Sequence, residues 1–138
     1  MSTLPSLTGT YAYRSLLNDT FIGEDFLKLK FGEGLITLAQ DATGHLTGSL
    51  DMGSGYVLTL EGSIYADGSN SIVRMTGYGV PNSPTAGWIY DYQGALTPMW
   101  PNGVNQLVTI TGSVIRTVAH GATSPAGVTC TFYMVSRS

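Results

Sequence analysis

Apolar and small side chains recur at every second position through most of this chain, and turn-forming residues interrupt the pattern at short intervals. Residues two apart lie on the same face of a β-strand, so the alternation predicts strands with one buried and one exposed face. A succession of such short segments is typical of an all-β sandwich or barrel. No segment has the apolar spacing that would predict a helix.

Nine segments carry the alternation, at residues 8–15, 26–31, 35–40, 45–52, 56–65, 71–78, 85–96, 106–118 and 127–136. The segment at 26–31 alternates apolar side chains with Lys28 and Lys30, as a strand with one exposed face would. It precedes a Gly32-Glu33-Gly34 break, and whether it joins the sheet is left open. The other eight predict an eight-stranded antiparallel up-and-down barrel, because closure leaves no unpaired edge. A two-sheet β-sandwich is the alternative.

Glycines inside the predicted strands favour the barrel. A strand glycine often marks a sharp bend or a close approach of two backbones, and a closed barrel requires such bends. The strand glycines in question are Gly48, Gly62, Gly77, Gly94 and Gly112.

The size and composition of the chain predict one domain over residues 1–138. Its 138 residues are 43% hydrophobic, which is enough to bury a core without metal or disulfide links. Charged residues make up only 11% of the chain, about half the usual share. A surface so poor in charge predicts a homo-oligomer, a dimer or a tetramer, in which subunits cover part of one another.

Charge and targeting signals exclude several classes of partner. The net charge is −3 and the basic residues are scattered, so we predict binding neither to nucleic acid nor to a membrane. Residues 1–7 lack the basic start and apolar run of a signal peptide, and no run approaches the ~18 apolar residues of a membrane span. We therefore expect a cytoplasmic protein.

The cysteine and the histidines predict neither a metal nor a cofactor. Cys130 is the only cysteine, which excludes an internal disulfide, and its alternation with Val128 and Phe132 predicts a packed thiol. His45 and His120 have no metal-ligand spacing to each other or to a carboxylate. His120 begins a loop after Arg116, where it can either serve as an acid or base at the barrel mouth or lie in a solvated loop, and we favour the solvated loop.

The segment at 85–96 carries the candidate binding residues. Trp88, Tyr90 and Tyr92 share one face of it and Asp91 lies on the other. If the aromatic side chains face inward, they line a stacking pocket. If Asp91 faces inward, it can act as a general base or hold an arginine. We favour the aromatic face, because binding pockets are mainly apolar with a few placed polar groups.

Further residues complete the predicted site. Tyr11 and Tyr13 of the first strand are candidate ligand contacts, and Trp100, in a loop with two prolines, is expected to pack on the domain, a neighbouring subunit or the ligand. Ionisable side chains also occupy central strand positions, where they either enter the cavity or pair across the outer surface. These are Arg14, Glu61, Arg74, Asp91 and Arg116.

Four segments resemble the avidin and streptavidin family. Residues 7–11 (LTGTY) are similar to its opening T-G-x-W strand, 44–50 (GHLTGSL) to its G-x-[LF]-T-G-x-Y return, 87–92 (GWIYDY) to its G-W-T-V-x-W strand and 132–137 (FYMVSR) to its W-L-L strand. The resemblance implies an eight-stranded barrel, with Tyr92 at the place of a ligand-stacking tryptophan. Lipocalins and small barrel cyclases, such as allene oxide cyclases, share this architecture.

The family's biotin site is not matched. The position of its first-strand asparagine falls at Ala12 or Tyr13, neither of which supplies an amide, and no tryptophan follows Trp100. The resemblance therefore implies a fold rather than biotin binding.

These observations lead to three hypotheses about function. The first is a small-molecule-binding barrel with an aromatic-lined pocket, whose ligand is apolar with one anionic or carbonyl group. The second is a cofactor-free isomerase, cyclase or lyase acting on a small carbonyl or polyketide-like substrate. In that enzyme Asp91 or a tyrosine moves a proton, while Arg74 or Arg116 stabilises negative charge. The third is a structural barrel with a filled interior.

Overall fold

The computed structural model describes residues 4–137. Of residues 1–7, which lack a signal-peptide pattern, the first three lie outside the described part. The chain forms eight strands and one helical turn. In order, these are β1 (Gly9–Leu17), α1 (Phe26–Leu29), β2 (Lys30–Gln40), β3 (His45–Asp51), β4 (Val57–Asp67), β5 (Asn70–Gly79), β6 (Ile89–Leu96), β7 (Thr109–Arg116) and β8 (Thr129–Ser136).

The eight strands close into a barrel. Each strand pairs antiparallel with the next, and β1 pairs with β8, so the order runs from β1 to β8 and back to β1. This confirms the predicted up-and-down barrel, and the alternative of two packed sheets is wrong. At a coarse level the fold is that of the calycin-like barrels. Among residues 4–137, no helix is long and apolar enough to cross a membrane.

The strand alternation places one set of side chains inside the barrel. Leucine, isoleucine, valine and methionine fill most of the interior, together with Tyr11, Tyr13, Tyr90, Tyr92 and Phe132. Cys130 is among the buried side chains, as predicted, and burial raises the pKa of its thiol. The larger aromatic groups therefore share the interior with the aliphatic core.

Strand glycines allow the sheet to curve, as their positions predicted. Gly62 faces the carbonyl oxygen of Arg74 on β5, and Gly112 faces that of Gln93 on β6. A Cβ atom at either glycine would lie 1.9 Å from the facing oxygen. Any side chain there would overlap the neighbouring backbone, so these two positions require glycine.

Replacing Gly112 by alanine is therefore expected to destabilise the barrel. Overpacking against backbone costs about 2–3 kcal/mol, because a carbonyl cannot rotate away as a flexible side chain can. Denaturant unfolding of Gly112→Ala should show this loss, while Ser113→Ala, at the exposed neighbouring position, should unfold like the unmodified protein. Equal stabilities for the two variants would contradict the close approach.

The segment at 26–31 differs from its strand-like pattern. Phe26–Leu29 forms a single helical turn, which begins where the Asp25 carboxylate accepts a hydrogen bond from the backbone N–H of Leu27 at 3.0 Å. An aspartate at this position satisfies a backbone donor that a strand would pair with its neighbour. Strand β2 then starts at Lys30 and runs through the glycine pair that was predicted to be a break.

A β-bulge lies at the start of β2. Ser15 pairs with Gly32 and Leu16 pairs with Lys30, so Phe31 is an extra residue on β2. A bulge interrupts the alternation and redirects a side chain. Phe31 consequently packs against Tyr90 and lines the interior at this end of the barrel.

Candidate functional site

A cavity of about 400 Å³ opens at one end of the barrel, where β1, β3, β5 and β7 end; we call this end the mouth. An eight-stranded barrel has room inside for one small ligand. The cavity is lined by Tyr13, Ser15, Lys30, Phe31, Gly32, Glu33, Leu50, Met52, Tyr56, Leu58, Trp88, Tyr90, Tyr92, Val114, Arg116 and His120.

The floor of the cavity combines aliphatic side chains with two tyrosines. Tyr13 and Tyr92 meet edge to face with ring centres 6.1 Å apart, and Phe132 packs against both rings. Burial raises the pKa of Tyr13 to about 12 and raises that of Tyr92 well above its ordinary value. Both tyrosines are therefore neutral near pH 7 and provide hydroxyl groups on an otherwise apolar floor.

Arg116 is the cationic group of the cavity. It is the last residue of β7, on the same inward face as Ile110 and Val114. Its Nε donates to Tyr90 Oη at 2.9 Å and its Nη1 donates to the Pro125 carbonyl at 3.2 Å. Within residues 4–137, Nη2 has no hydrogen-bond acceptor and no carboxylate forms an ion pair with the guanidinium.

Aromatic rings surround this guanidinium. Its central carbon lies 5.1 Å from the ring centre of Phe31 and 5.7 Å from that of Tyr90, both within the range of cation–π attraction. The positive charge is thus held by ring faces and neutral oxygens. An anionic or carbonyl oxygen entering the mouth would meet a cation that lacks a counter-ion.

His120 completes a chain of hydrogen bonds at the mouth. Its Nε2 lies 2.6 Å from Tyr90 Oη, the same hydroxyl that accepts from Arg116 Nε. Burial, and then the charge of Arg116, lower the pKa of His120 below its ordinary 6.5. The imidazole is therefore neutral near pH 7, and a neutral imidazole can accept the Tyr90 hydroxyl proton.

Trp88 holds the imidazole in place. The two rings stack with centres 3.9 Å apart and planes 13° from parallel, and Tyr56 packs on Trp88 with ring centres 5.9 Å apart. Trp88 lies just before β6, and its backbone N–H donates to the Thr85 carbonyl at 2.9 Å. The buried Thr85 hydroxyl in turn donates to the Val57 carbonyl at 2.7 Å, which ties this loop to β4.

The structure brings together four of the predicted ligand-binding residues, Tyr13, Trp88, Tyr90 and Tyr92, with one predicted catalytic residue, Arg116. All five line the cavity. The preferred orientation, with the aromatic face inward, agrees with the burial of Tyr90 and Tyr92.

Asp91 and Arg74, the other predicted catalytic residues, lie outside the barrel. Both are exposed on the outer wall, because each alternates with buried neighbours along its strand. Asp91 accepts hydrogen bonds from the hydroxyls of Thr76 and Thr117, both at 2.8 Å. Neither residue lines the cavity at the mouth; both line a groove on the outer wall instead.

Two predicted ligand contacts also lie away from the cavity. Tyr11 is buried toward the end opposite the mouth, where its hydroxyl donates to the Leu7 carbonyl at 2.7 Å. Trp100 is 71% exposed in the loop between β6 and β7, also at that opposite end. This exposure contradicts packing on its own domain, one of the three predicted alternatives, while contact with a neighbouring subunit stays a prediction. The Gln106 side chain pairs with the Trp100 backbone.

Sequence reasoning missed Phe31 as a member of the site, and for His120 it favoured a solvated loop over a place at the mouth. His120 lies in the turn after β7, where its backbone N–H donates to the Ser124 carbonyl at 3.0 Å. Its position shortly after the inward-facing Arg116 is the signal that supported the alternative at the mouth. Phe31 was missed because the bulge interrupts the two-residue alternation that indicates which side chains of β2 face inward.

Neither a metal-ligand cluster nor a similar known protein assigns a function to this site. Among the side chains of residues 4–137, no three histidine, cysteine, aspartate or glutamate groups come together as metal ligands would. The chain matches no protein-family model, no curated protein and no solved structure. The site must therefore be interpreted from its own chemistry.

Proposed function

We propose that this protein binds a small molecule with an apolar body and one anionic or carbonyl group in the mouth of its barrel. The observation that carries the proposal is Arg116, a guanidinium that faces the cavity and has no carboxylate partner among residues 4–137. A partly buried cation that lacks a counter-ion is costly, and a ligand that supplies an oxygen anion or a carbonyl dipole offsets that cost.

The rest of the cavity supports an apolar ligand body. Its volume, about 400 Å³, falls in the range of small-molecule pockets, which are about 300–1,000 Å³. Leu50, Leu58 and Val114 offer aliphatic contact below the mouth, and the Trp88 ring lines the cavity beside it. The ligand would enter with its apolar end toward the floor and its polar group toward Arg116.

Calorimetric titration with 2-naphthoate tests this proposal. The probe has two fused apolar rings and one carboxylate, and 2-naphthylmethylammonium has the same rings with the opposite charge. We expect saturable binding of the first and none of the second, because Arg116 repels a cation. Absence of 2-naphthoate binding, or equal binding of both probes, would overturn the proposal.

Replacing Trp88 by alanine should weaken 2-naphthoate binding at least about tenfold. The change removes a ring face of the mouth and the surface that holds His120, a loss of at least about 1.4 kcal/mol. Trp100→Ala is the matched control, because the chain's other tryptophan is exposed at the opposite end. Equal affinities of the two variants for 2-naphthoate would remove Trp88 from the site.

A cofactor-free isomerase, cyclase or lyase is the second candidate. The observation that favours it is the Tyr90 hydroxyl, which lies between a cation and a neutral imidazole at the cavity wall. In this version the proton-moving tyrosine is Tyr90 and the charge-stabilising arginine is Arg116. An open cavity of this size argues against the third hypothesis, a barrel with a filled interior.

A homo-oligomer, either a dimer or a tetramer, stays a proposal. Large apolar side chains are exposed mainly in two connections between strands. Those between β1 and β2, near the mouth, are Phe21, Ile22, Phe26 and Leu27, and those between β6 and β7, at the opposite end, are Met99, Trp100, Val104 and Leu107. A light-scattering mass in solution would count the subunits. A cytoplasmic location and a closer relation to the avidin and streptavidin family are likewise proposals, the latter supported by short similar segments alone.

A further inference from the structure

We propose that Tyr90 and His120 form a proton relay that enolises a carbonyl compound whose oxygen is held by Arg116. The proposal rests on the ligand site proposed above and adds a reaction to it. The substrate class is a ketone or related carbonyl compound that carries a hydrogen on the carbon next to its carbonyl group.

The hydrogen bonds at Tyr90 give the relay its direction. An arginine side chain stays protonated in proteins and can only donate hydrogen bonds. Tyr90 Oη therefore accepts from Arg116 Nε at 2.9 Å. The hydroxyl proton of Tyr90 is then free to point to His120 Nε2 at 2.6 Å, provided that the imidazole carries its own proton on Nδ1. Tyr90 can thus lose a proton to His120 while its oxygen stays beside a cation.

The two proton carriers are held rigidly. His120 is fixed by its stack on Trp88 and by its backbone bond to Ser124. Tyr90 is fixed by its edge-to-face contact with Phe31 at 6.1 Å between ring centres. Positioned groups of this kind are what general acid–base catalysis requires.

The protonation states near pH 7 suit the relay. Burial raises the pKa of Tyr90, although Arg116 opposes that shift, and so the hydroxyl keeps its proton at rest. Burial and Arg116 lower the pKa of His120, and so the imidazole is ready to accept one. The other titratable groups around the cavity are Tyr13, Lys30, Glu33, Tyr56, Tyr92 and the buried thiol of Cys130. Lys30 and Glu33 pair with each other at 3.2 Å.

The proposed step balances within the site. The C–H bond beside the carbonyl breaks and its proton moves to Tyr90 Oη, while the Tyr90 hydroxyl proton moves to His120 Nε2. The electron pair of the broken bond forms the new C=C bond, and the carbonyl π pair moves to the oxygen, whose negative charge faces Arg116. In D₂O the relay protons are replaced by solvent deuterons, so delivery of a deuteron to the same carbon gives exchange. Delivery of the proton to another carbon of a conjugated system gives isomerisation. No oxidant, reductant or cofactor is consumed.

The test uses 1-tetralone, a bicyclic ketone with exchangeable hydrogens at the carbon next to its carbonyl. In D₂O, proton NMR follows the loss of that signal with and without protein, and calorimetry measures 1-tetralone binding separately. We expect the unmodified protein to accelerate exchange, and Tyr90→Phe to lower the acceleration about 100-fold, the usual scale for loss of a general acid or base. His45→Gln, which changes the chain's other histidine on the outer surface, should exchange like the unmodified protein.

The pH profile tests His120 by a readout that a purely structural role would not alter. Protonated His120 cannot accept a proton, so exchange should fall as the pH is lowered through the His120 pKa, below 6.5. His120→Gln should be slow and lack this step, whereas His45→Gln should keep it. If His120→Gln keeps both the exchange rate of the unmodified protein and its fall at low pH, the role of His120 is overturned, even if Tyr90→Phe proves poorly folded.

The outcomes separate the relay from the binding proposal. Binding of 1-tetralone with exchange no faster than in buffer overturns the relay and leaves the ligand site intact. Failure of both 2-naphthoate and 1-tetralone to bind overturns the ligand site, and the relay with it. Binding together with exchange that Tyr90→Phe abolishes supports both.

Discussion

Replacing Arg116 by glutamine is expected to weaken 2-naphthoate binding about 30- to 150-fold. A hydrogen bond to a charged group is worth about 2–3 kcal/mol when its loss leaves the partner unpaired. Glutamine keeps a polar but shorter side chain and removes the charge, so the apolar contacts to the rings of the probe remain. Calorimetry at constant salt measures the difference.

Two variants make this result specific. Arg74→Gln changes an exposed arginine on the outer wall and should leave the affinity for 2-naphthoate unchanged. Arg116→Lys should recover part of the binding, because lysine restores the charge without the planar geometry of the guanidinium. If Arg116→Gln binds 2-naphthoate as tightly as Arg74→Gln does, the anion site lies elsewhere.

Replacing Phe132 by alanine should produce the largest loss of stability. Phe132 is 1% exposed and packs beneath the cavity floor, with its ring centre 5.9 Å from that of Tyr13 and 5.7 Å from that of Tyr92. Removal of a buried phenyl ring costs about 3–5 kcal/mol in lost transfer free energy and cavity formation. For a domain of this size we expect the midpoint of thermal unfolding to fall by roughly 10–20 °C.

Phe26→Ala is the matched control for this prediction. Phe26 is 77% exposed on the helical turn α1, so the same substitution removes little buried surface there. Its effect should stay within about 0.5 kcal/mol, as for most surface positions. A similar loss of stability in both variants would mean that Phe132 does not support the floor.

The fold could be predicted from the sequence because its main determinant repeats along the chain. Each strand obeys the same two-residue period, and short turns leave little choice of neighbour other than the next strand. The helical turn at Phe26–Leu29 and the bulge at Phe31 could not be predicted in this way. Each depends on one local feature. The helical turn begins where the Asp25 carboxylate accepts the Leu27 N–H, and the bulge is one extra residue opposite Ser15 and Leu16.

The site could be predicted where its residues belong to strands. Tyr90 and Tyr92 share the inward face of β6, and Arg116 shares that of β7, so alternation alone groups them with the core. The same alternation places Asp91 outside, once the aromatic face is known to be buried. The place of His120 at the mouth could not be decided from the sequence, because His120 follows the end of β7. No periodicity applies there, and the path of the loop decides which way a side chain points.

Because of the bulge at Phe31, the lining of the mouth can change through the number of residues at the start of β2 as well as through their type. Its extra residue interrupts only the β1–β2 ladder, after Ser15 has paired with Gly32, and the β2–β3 pairing begins farther on at Leu35. Deletion of that one residue would restore a regular ladder and withdraw the ring beneath Arg116, while the register of the other seven strand pairs stays as it is. Single-residue insertions and deletions before Gly32 are thus a route by which descendants of this barrel could diverge in the ligands they accept without refolding the sheet.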